Sequence, residues 1–185
     1  MHYFRFILLF IVGLFTFAAC SSDNAEPDIA LVQAVNTGNH KAVKYFLNHN
    51  SDPNTKDKNG TPLITLAALK HNPSMIKRLL KAGARVDERN AAGQTALMLA
   101  SNNDNLASMK VLISAHADVN ALSDGGSTAL MYASFQGHDE AVKLLIKRGA
   151  DVNITNEYGD TALISASAYG HSEVINLLKK AGATR

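Results

Sequence analysis

Hydrophobic positions from residue 29 onward recur at a fixed step of 33 residues. Four columns of positions show the step: Leu31, Ile64, Leu97, Leu130 and Leu163; Ala34, Ala67, Ala100, Ala133 and Ala166; Val43, Ile76, Met109, Val142 and Ile175; and Phe46, Leu79, Leu112, Leu145 and Leu178. Within a step the spacing is helical, because Val142, Leu145 and Ile146 lie at i, i+3 and i+4. Leu130 likewise lies three residues before Ala133. Each step therefore predicts two short amphipathic helices, and the whole pattern predicts an all-α fold.

Polar residues and glycines separate these helices. The pair Gly137-His138 lies between the two helices of one step. The second helix of each step is followed by a residue that tolerates a left-handed backbone, namely Asn50, Gly83, His116, Gly149 and Gly182. These residues predict helix C-caps. Between steps the chain runs Ala-Asp-Val-Asn and then Gly-x-Thr-Ala-Leu, as at 150–153 and 159–163. The Gly serves a tight turn, and we expect Thr161 to cap the next helix.

This repeated pattern resembles the ankyrin repeat, whose unit of 33 residues consists of a β-turn and two helices. The resemblance covers residues 29–185. It implies repeats near residues 29–61, 62–94, 95–127, 128–160 and 161–185. The implied fold is an all-α ankyrin-repeat solenoid of stacked helix-turn-helix units with short β-hairpin-like turns.

Three departures from the repeat pattern carry expectations of their own. In the second repeat we expect Thr61 to cap the helix and Pro62 to occupy its first position. In the third repeat Asp104-Asn105 replaces Gly-His, which we expect to loosen the turn between the two helices. In the last repeat Lys179 replaces an aliphatic residue, which suits a terminal unit that faces water.

The first twenty residues have the three parts of a secretory signal. Arg5 lies near the start, an apolar run covers residues 6–17, and the small residues Ala18 and Ala19 follow. The apolar run is shorter than the roughly 20 residues of a membrane-spanning helix. Residues 1–19 are therefore predicted to be a signal peptide, with an uncleaved anchor as the alternative.

Phe-Ala-Ala-Cys at 17–20 resembles a bacterial lipobox, although Phe17 replaces the usual aliphatic residue. The resemblance implies that Cys20 becomes the lipidated first residue of the mature chain, and that residues 20–28 form a lipid-anchored tether. Ser21 implies sorting to the outer membrane, by similarity to Gram-negative lipoproteins. An ordinary signal peptide, in which the cysteine stands by chance, is the alternative.

Composition narrows the class of function. The chain has 18 Lys and Arg against 16 Asp and Glu, a net charge of +2, and the basic residues form no run. Nucleic-acid binding is not expected, because it requires a basic face. A single cysteine excludes an internal disulfide. The sequence contains no Gly-rich phosphate loop, CxxC or HExxH, so we expect neither an enzyme nor a cofactor.

Two histidines are candidate metal ligands. His138 and His171 lie one repeat apart and could hold a metal between adjacent turns. Both occupy the Gly-His position of the ankyrin pattern, where the resemblance implies that the imidazole supports a turn. We therefore expect a structural role and no metal site.

The resemblance also implies where a partner binds, at the hairpin tips and the exposed side of the first helices. Carried onto this sequence, the candidate binding surface contains Lys58, Asn59, Leu69, Lys70, Ala91, Ala92, Gln94, Asn102, Asn103, Asp124, Ser127, Phe135, Gln136, Glu157, Tyr158, Asp160 and Tyr169. Its aromatic residues, flanked by polar ones, are typical of binding hot spots. The alternative is that Phe135 and Tyr169 stack on each other and cover the neighbouring helix.

These observations predict a monomeric, non-enzymatic protein–protein interaction module in the bacterial cell envelope, anchored by lipid at the outer membrane and facing the periplasm. A soluble periplasmic or secreted protein is the alternative location. The alternative function is a protective or immunity protein that binds a toxin or supports a periplasmic stress enzyme.

Overall fold

The computed structural model describes residues 27–184. This part of the chain is a stack of five helix pairs, which confirms the all-α repeat solenoid. Its helices are α1 (Pro27–Asn36), α2 (His40–Asn48), α3 (Leu63–Leu69), α4 (Pro73–Lys81), α5 (Ala96–Asn102), α6 (Leu106–Ser114), α7 (Ala129–Gln136), α8 (Asp139–Lys147), α9 (Ala162–Ala168) and α10 (Ser172–Lys180). No strand occurs among residues 27–184, where an isolated antiparallel bridge joins Lys56 and Pro62. Cys20 and the predicted signal peptide lie outside the described residues.

Threonine side chains cap the first helix of three repeats, as predicted for Thr161. Oγ1 of Thr95, Thr128 and Thr161 accepts the amide of the third helical residue at 3.4, 3.2 and 3.2 Å. These bonds satisfy one of the amides that a helix N-terminus leaves without an intrahelical partner. The caps fix where α5, α7 and α9 begin.

The expectation for Thr61 and Pro62 is wrong. Helix α3 begins at Leu63, and Pro62 itself is the N-cap, with extended backbone (ψ 148°) and no side-chain cap bond. Thr61 belongs to the preceding turn, since its amide donates to Asp57 Oδ1 at 2.8 Å. Pro62 stands one step before Thr95, so the repeat keeps its register and the threonine lies one residue too early to cap.

The predicted C-caps are confirmed. The left-handed φ angles are 68° at Asn50, 97° at Gly83, 64° at His116, 86° at Gly149 and 91° at Gly182. In each case the next amide returns to a carbonyl of the helix, as from Ala150 to Leu145 at 3.1 Å. The chain therefore leaves the second helix of every repeat in the same direction, so that the 33-residue repeat of the sequence is also a structural repeat.

The turn of the third repeat is not loosened, contrary to expectation. Asp104 adopts a left-handed backbone (φ 50°) in place of glycine. Asn105 is buried, and its Oδ1 accepts the Ser108 amide at 3.1 Å. Its Nδ2 donates to the Ala68 carbonyl of the preceding repeat at 3.4 Å. Asn105 thus caps α6 and also ties two repeats together.

A continuous core runs from Leu31 to Leu178 between the two rows of helices. Ala100 and Ala133 are fully buried where neighbouring first helices pack together, and their small side chains permit that close approach. At the end of the stack Lys179 is exposed, as expected of a terminal repeat. Among residues 27–184 the core therefore extends through all five helix pairs.

Candidate partner-binding surface

Four hairpin tips, at residues 57–60, 90–93, 123–126 and 156–159, are closed by the side chain of their own first residue. In the last tip Asn156 Oδ1 accepts the amides of Tyr158 and Asp160, both at 2.9 Å. Asp57, Asn90 and Ser123 perform the same role one step apart. A short side chain with a hydrogen-bond acceptor thus recurs every 33 residues at the start of each tip. This recurrence is visible in the sequence but is separate from the hydrophobic pattern.

Neighbouring tips are bonded to each other. The Asp124 amide donates to the Ala92 carbonyl at 3.1 Å, and the Glu157 amide donates to the Gly125 carbonyl at 3.2 Å. Arg89 Nη2 also lies 2.7 Å from Asp124 Oδ1. The last three tips therefore form one connected row, and Arg89 offsets the charge of Asp124.

Part of the predicted surface is occupied by bonds between repeats. Gln94 is half-buried, and its Nε2 donates to the Tyr132 hydroxyl at 2.8 Å. Asn102 is also half-buried, with its Oδ1 accepting Gln136 Nε2 at 3.1 Å and its Nδ2 donating to Asn103 Oδ1 at 3.2 Å. These amides hold the repeats together. The exposed members of the candidate binding surface are Lys58, Asn59, Leu69, Lys70, Ala91, Ala92, Asp124, Phe135, Gln136, Glu157, Tyr158 and Tyr169.

The aromatic residues contact each other and remain exposed. The ring centroids of Phe135 and Tyr169 are 4.3 Å apart with an interplanar angle of 61°. Nevertheless 41% of Phe135, 59% of Tyr169 and 84% of Tyr158 is accessible to solvent. The pairing expected by the alternative interpretation is present, but it leaves both rings with free surface for a partner.

A hollow of about 280 Å³ opens beside Phe135. Its lining is formed by Asn102, Ser127, Met131, Tyr132, Phe135, Asn156, Asp160 and Ser165. A larger hollow of about 930 Å³ lies at the other end of the stack, between α1 and residues 55–59. No hairpin precedes α1 among the described residues.

Comparison with known protein families identifies the family of this chain. The sequence pattern of the family described as Ankyrin repeats (3 copies) matches residues 9–90, 31–123, 64–156 and 97–184. The chain belongs to the ankyrin-repeat family. A comparison with curated proteins finds no match. Ankyrin-repeat proteins are in general non-enzymatic modules that bind other proteins, so the exposed surface of this ankyrin stack is the place to seek its activity.

The two histidines of the ankyrin Gly-His position bond to the preceding repeat. His138 Nε2 lies 3.0 Å from the Asn102 carbonyl oxygen, and His171 Nε2 lies 2.9 Å from that of Phe135. Each ring therefore holds two ankyrin repeats together. Among residues 27–184 no three His, Cys, Asp or Glu side chains are grouped closely enough to hold a metal ion. The helices in the same range are all too short or too polar to cross a membrane.

A second polar column links each ankyrin repeat to the next. Side-chain oxygens of Asn54, Asn120 and Asn153 accept the amides of Arg85, Asp151 and Thr184 at 2.8, 2.8 and 3.1 Å. Asp87 stands in this column and accepts the Asp118 amide through both carboxylate oxygens at 3.2 Å. Burial raises the pKa of Asp87, and the Asp118 charge adds to that rise, whereas the amide bond opposes it. A charge therefore stands where the other repeats use a neutral amide.

Proposed function

We propose that this ankyrin stack binds a protein partner at the tips and first helices of its C-terminal half, while a lipid on Cys20 holds it at the outer membrane, facing the periplasm. The observation that carries the binding proposal is the exposure of three aromatic side chains, Phe135, Tyr158 and Tyr169, of which Phe135 also lines the hollow at Asp160. Large aromatic side chains contribute much of the energy of protein interfaces when a partner covers them.

The bonds around these rings support the proposal because they preorganise the surface. Tyr158 follows a tip that Asn156 closes, and that tip is bonded to the one before it. Phe135 is held against Tyr169, and its carbonyl is bonded to His171. A partner would meet rings that are already positioned, so binding would lose little conformational entropy.

Affinity capture from an envelope extract tests the binding proposal. Residues 21–185 serve as bait, since the core lies within residues 31–178. We expect a retained partner that the double variant Phe135→Ala, Tyr169→Ala does not hold. Leu122→Ala is the matched control, because Leu122 is 45% exposed and lies outside the candidate binding surface. Equal retention by all three baits, with unchanged circular dichroism, would contradict the proposed surface. A single secreted toxin as partner would favour the protective role.

The membrane anchor is tested separately, because it rests on residues 17–20 of the sequence. Mass spectrometry of the native N-terminus should find acyl groups on Cys20, and Cys20→Ser should release the chain from washed membranes. An unmodified Cys20 at the mature terminus would refute the anchor and leave the binding proposal standing.

A further inference from the structure

Charge is distributed unevenly along the candidate binding surface. Its first part, residues 57–70, carries the exposed Lys58 and Lys70 against the single carboxylate of Asp57. The two last tips and the first helices that follow them, residues 123–136 and 156–169, contain no Lys or Arg and carry Asp124, Glu157 and Asp160. Since Arg89 already pairs with Asp124, the unbalanced charge of this end lies at Glu157 and Asp160.

The hollow beside Phe135 combines this negative charge with aromatic walls. Asp160 is the single charged residue of its lining, and Phe135 and Tyr132 supply rings. The position of Asp160 is fixed by two bonds to Asn156: its amide donates to Asn156 Oδ1 at 2.9 Å and its carbonyl accepts the Asn156 amide at 3.0 Å. Asp160 and the aromatic residues thus line one small volume, and the backbone of Asp160 is held in place.

We infer that the hollow receives a cationic side chain, specifically an arginine, from an extended segment of the protein partner. A guanidinium group is planar, so it can lie on an aromatic face while its N–H groups reach a carboxylate. A lysine ammonium could meet the same charge but could not stack in this way. An acidic segment would be repelled by Asp160 and Glu157. The inference rests on the proposed function and adds the chemistry of the partner.

The distribution of charge along the candidate binding surface favours one orientation of the bound segment. With its arginine in the hollow beside Phe135, an acidic residue farther along the segment would approach Lys70 and Lys58. Charges arranged in this complementary way favour one orientation over the reverse.

Selection from a library of linear peptides displayed on phage tests the inference. Residues 21–185 are the target, and we expect the selected peptides to share an arginine. Replacing that arginine by citrulline, which has nearly the same shape without the charge, should weaken binding in a fluorescence polarisation assay by about five- to tenfold. Asp160→Asn should weaken binding of the arginine peptide by a similar factor and leave the citrulline peptide unaffected. Glu173→Gln is the control, because Glu173 is an exposed carboxylate on α10 that does not belong to the candidate binding surface. This variant should bind both peptides with unchanged affinity.

The outcomes separate this inference from the proposed function. Selected peptides without an arginine, or an arginine peptide that binds wild type and Asp160→Asn equally, would overturn the inference. If such peptides bound wild type but not the double variant Phe135→Ala, Tyr169→Ala, the aromatic surface would remain the binding site. A selection that yields no peptide would also overturn it, because an extended segment would then not be recognised, whereas capture of a folded partner would still support the proposed function.

Discussion

Asn105→Ala should destabilise the stack by about 2 kcal/mol. The substitution removes the side-chain cap of α6, an Oδ1 bond to the Ser108 amide at 3.1 Å, and such caps contribute about 1 kcal/mol. It also removes the Nδ2 bond to the Ala68 carbonyl at 3.4 Å, for which about 1 kcal/mol is typical. The Ala68 carbonyl keeps the bond from the His71 amide at 3.0 Å, so it is not left without a donor. The Ser108 amide, in a fully buried residue, is left without its acceptor, and the contribution of the cap includes this loss.

Asn105→His separates the two contributions. His138 and His171, in the equivalent turns, make no side-chain cap but bond to a carbonyl of the preceding repeat. In the turn of the repeat before His138 the left-handed position is Asp104, and in the turn of the repeat before Asn105 it is His71, so neither is glycine. The example of His138 therefore indicates that an imidazole at position 105 can be accommodated. This variant should keep the bond between repeats, lose the cap, and cost about 1 kcal/mol.

Urea unfolding of residues 21–185, followed by circular dichroism, measures both variants. In thermal unfolding of the same variants, a loss of 2 kcal/mol corresponds to a fall in melting temperature of about 4–8 °C for a domain of this size. Asn103→Ala is the control, because Asn103 is partly exposed and bonds through its side chain to Asn102 alone. It should cost less than about 0.5 kcal/mol. If Asn105→Ala were no worse than this control, or if the histidine variant were as unstable as the alanine variant, the two-role account of Asn105 would be wrong.

Two further predictions concern other contacts between repeats. Asp87→Asn should stabilise the stack by about 0.5 kcal/mol at neutral pH. Because the folded-state pKa of Asp87 lies above its ordinary value of 3.8, the penalty is absent below pH 3.8 and grows as the pH rises through the folded-state pKa. Urea midpoints at acidic and neutral pH should therefore show the gain at neutral pH alone, and a gain independent of pH would refute the cause given. Gly137→Ala should cost about 2–3 kcal/mol in the same assay, since its φ is 74° and a Cβ would lie 2.5 Å from the His171 ring. Gly170→Ala shares the left-handed φ (73°) but meets nothing within 4 Å, so it should cost about 1 kcal/mol, and equal losses would exclude the ring contact as the cause.

The fold was predictable because each of its determinants recurs. Leucine, alanine and valine columns specify the two helices of every repeat, and the residues after the second helices specify their C-caps. The predictions failed where one residue departed from its column. Thr61 suggested a cap from its local motif, yet Pro62 holds the register. Asn105 was expected to weaken a turn, because the pattern of one repeat does not show that an amide can cap a helix and reach the preceding repeat at once.

Which residues of the candidate binding surface are exposed was predictable only in part. The resemblance to the ankyrin repeat placed Gln94 and Tyr158 together on it. In the structure Gln94 is bonded to Tyr132, whereas Tyr158 is largely exposed. A side chain that is bonded to the neighbouring repeat and one that is exposed to solvent can therefore both belong to the candidate binding surface. The distinction depends on contacts between residues about one repeat apart, which a single position in the sequence does not reveal.

Internal repetition provides its own evidence on which residues serve the fold and which serve recognition. The column of Ala67, Ala100 and Ala133 never changes within the chain, because neighbouring first helices require a small side chain there. Two columns at the end of the first helices change at every step: Asn36, Leu69, Asn102, Phe135 and Ala168, and Thr37, Lys70, Asn103, Gln136 and Tyr169. Since the same backbone accepts an amide, a leucine, an aromatic ring or an alanine in these columns, packing does not dictate the choice. Phe135 and Tyr169 are the two aromatic members of these freely varying columns, and they meet beside the hollow at Asp160. Because the stack does not require these two rings, we expect them to contact the partner, as the proposed function requires.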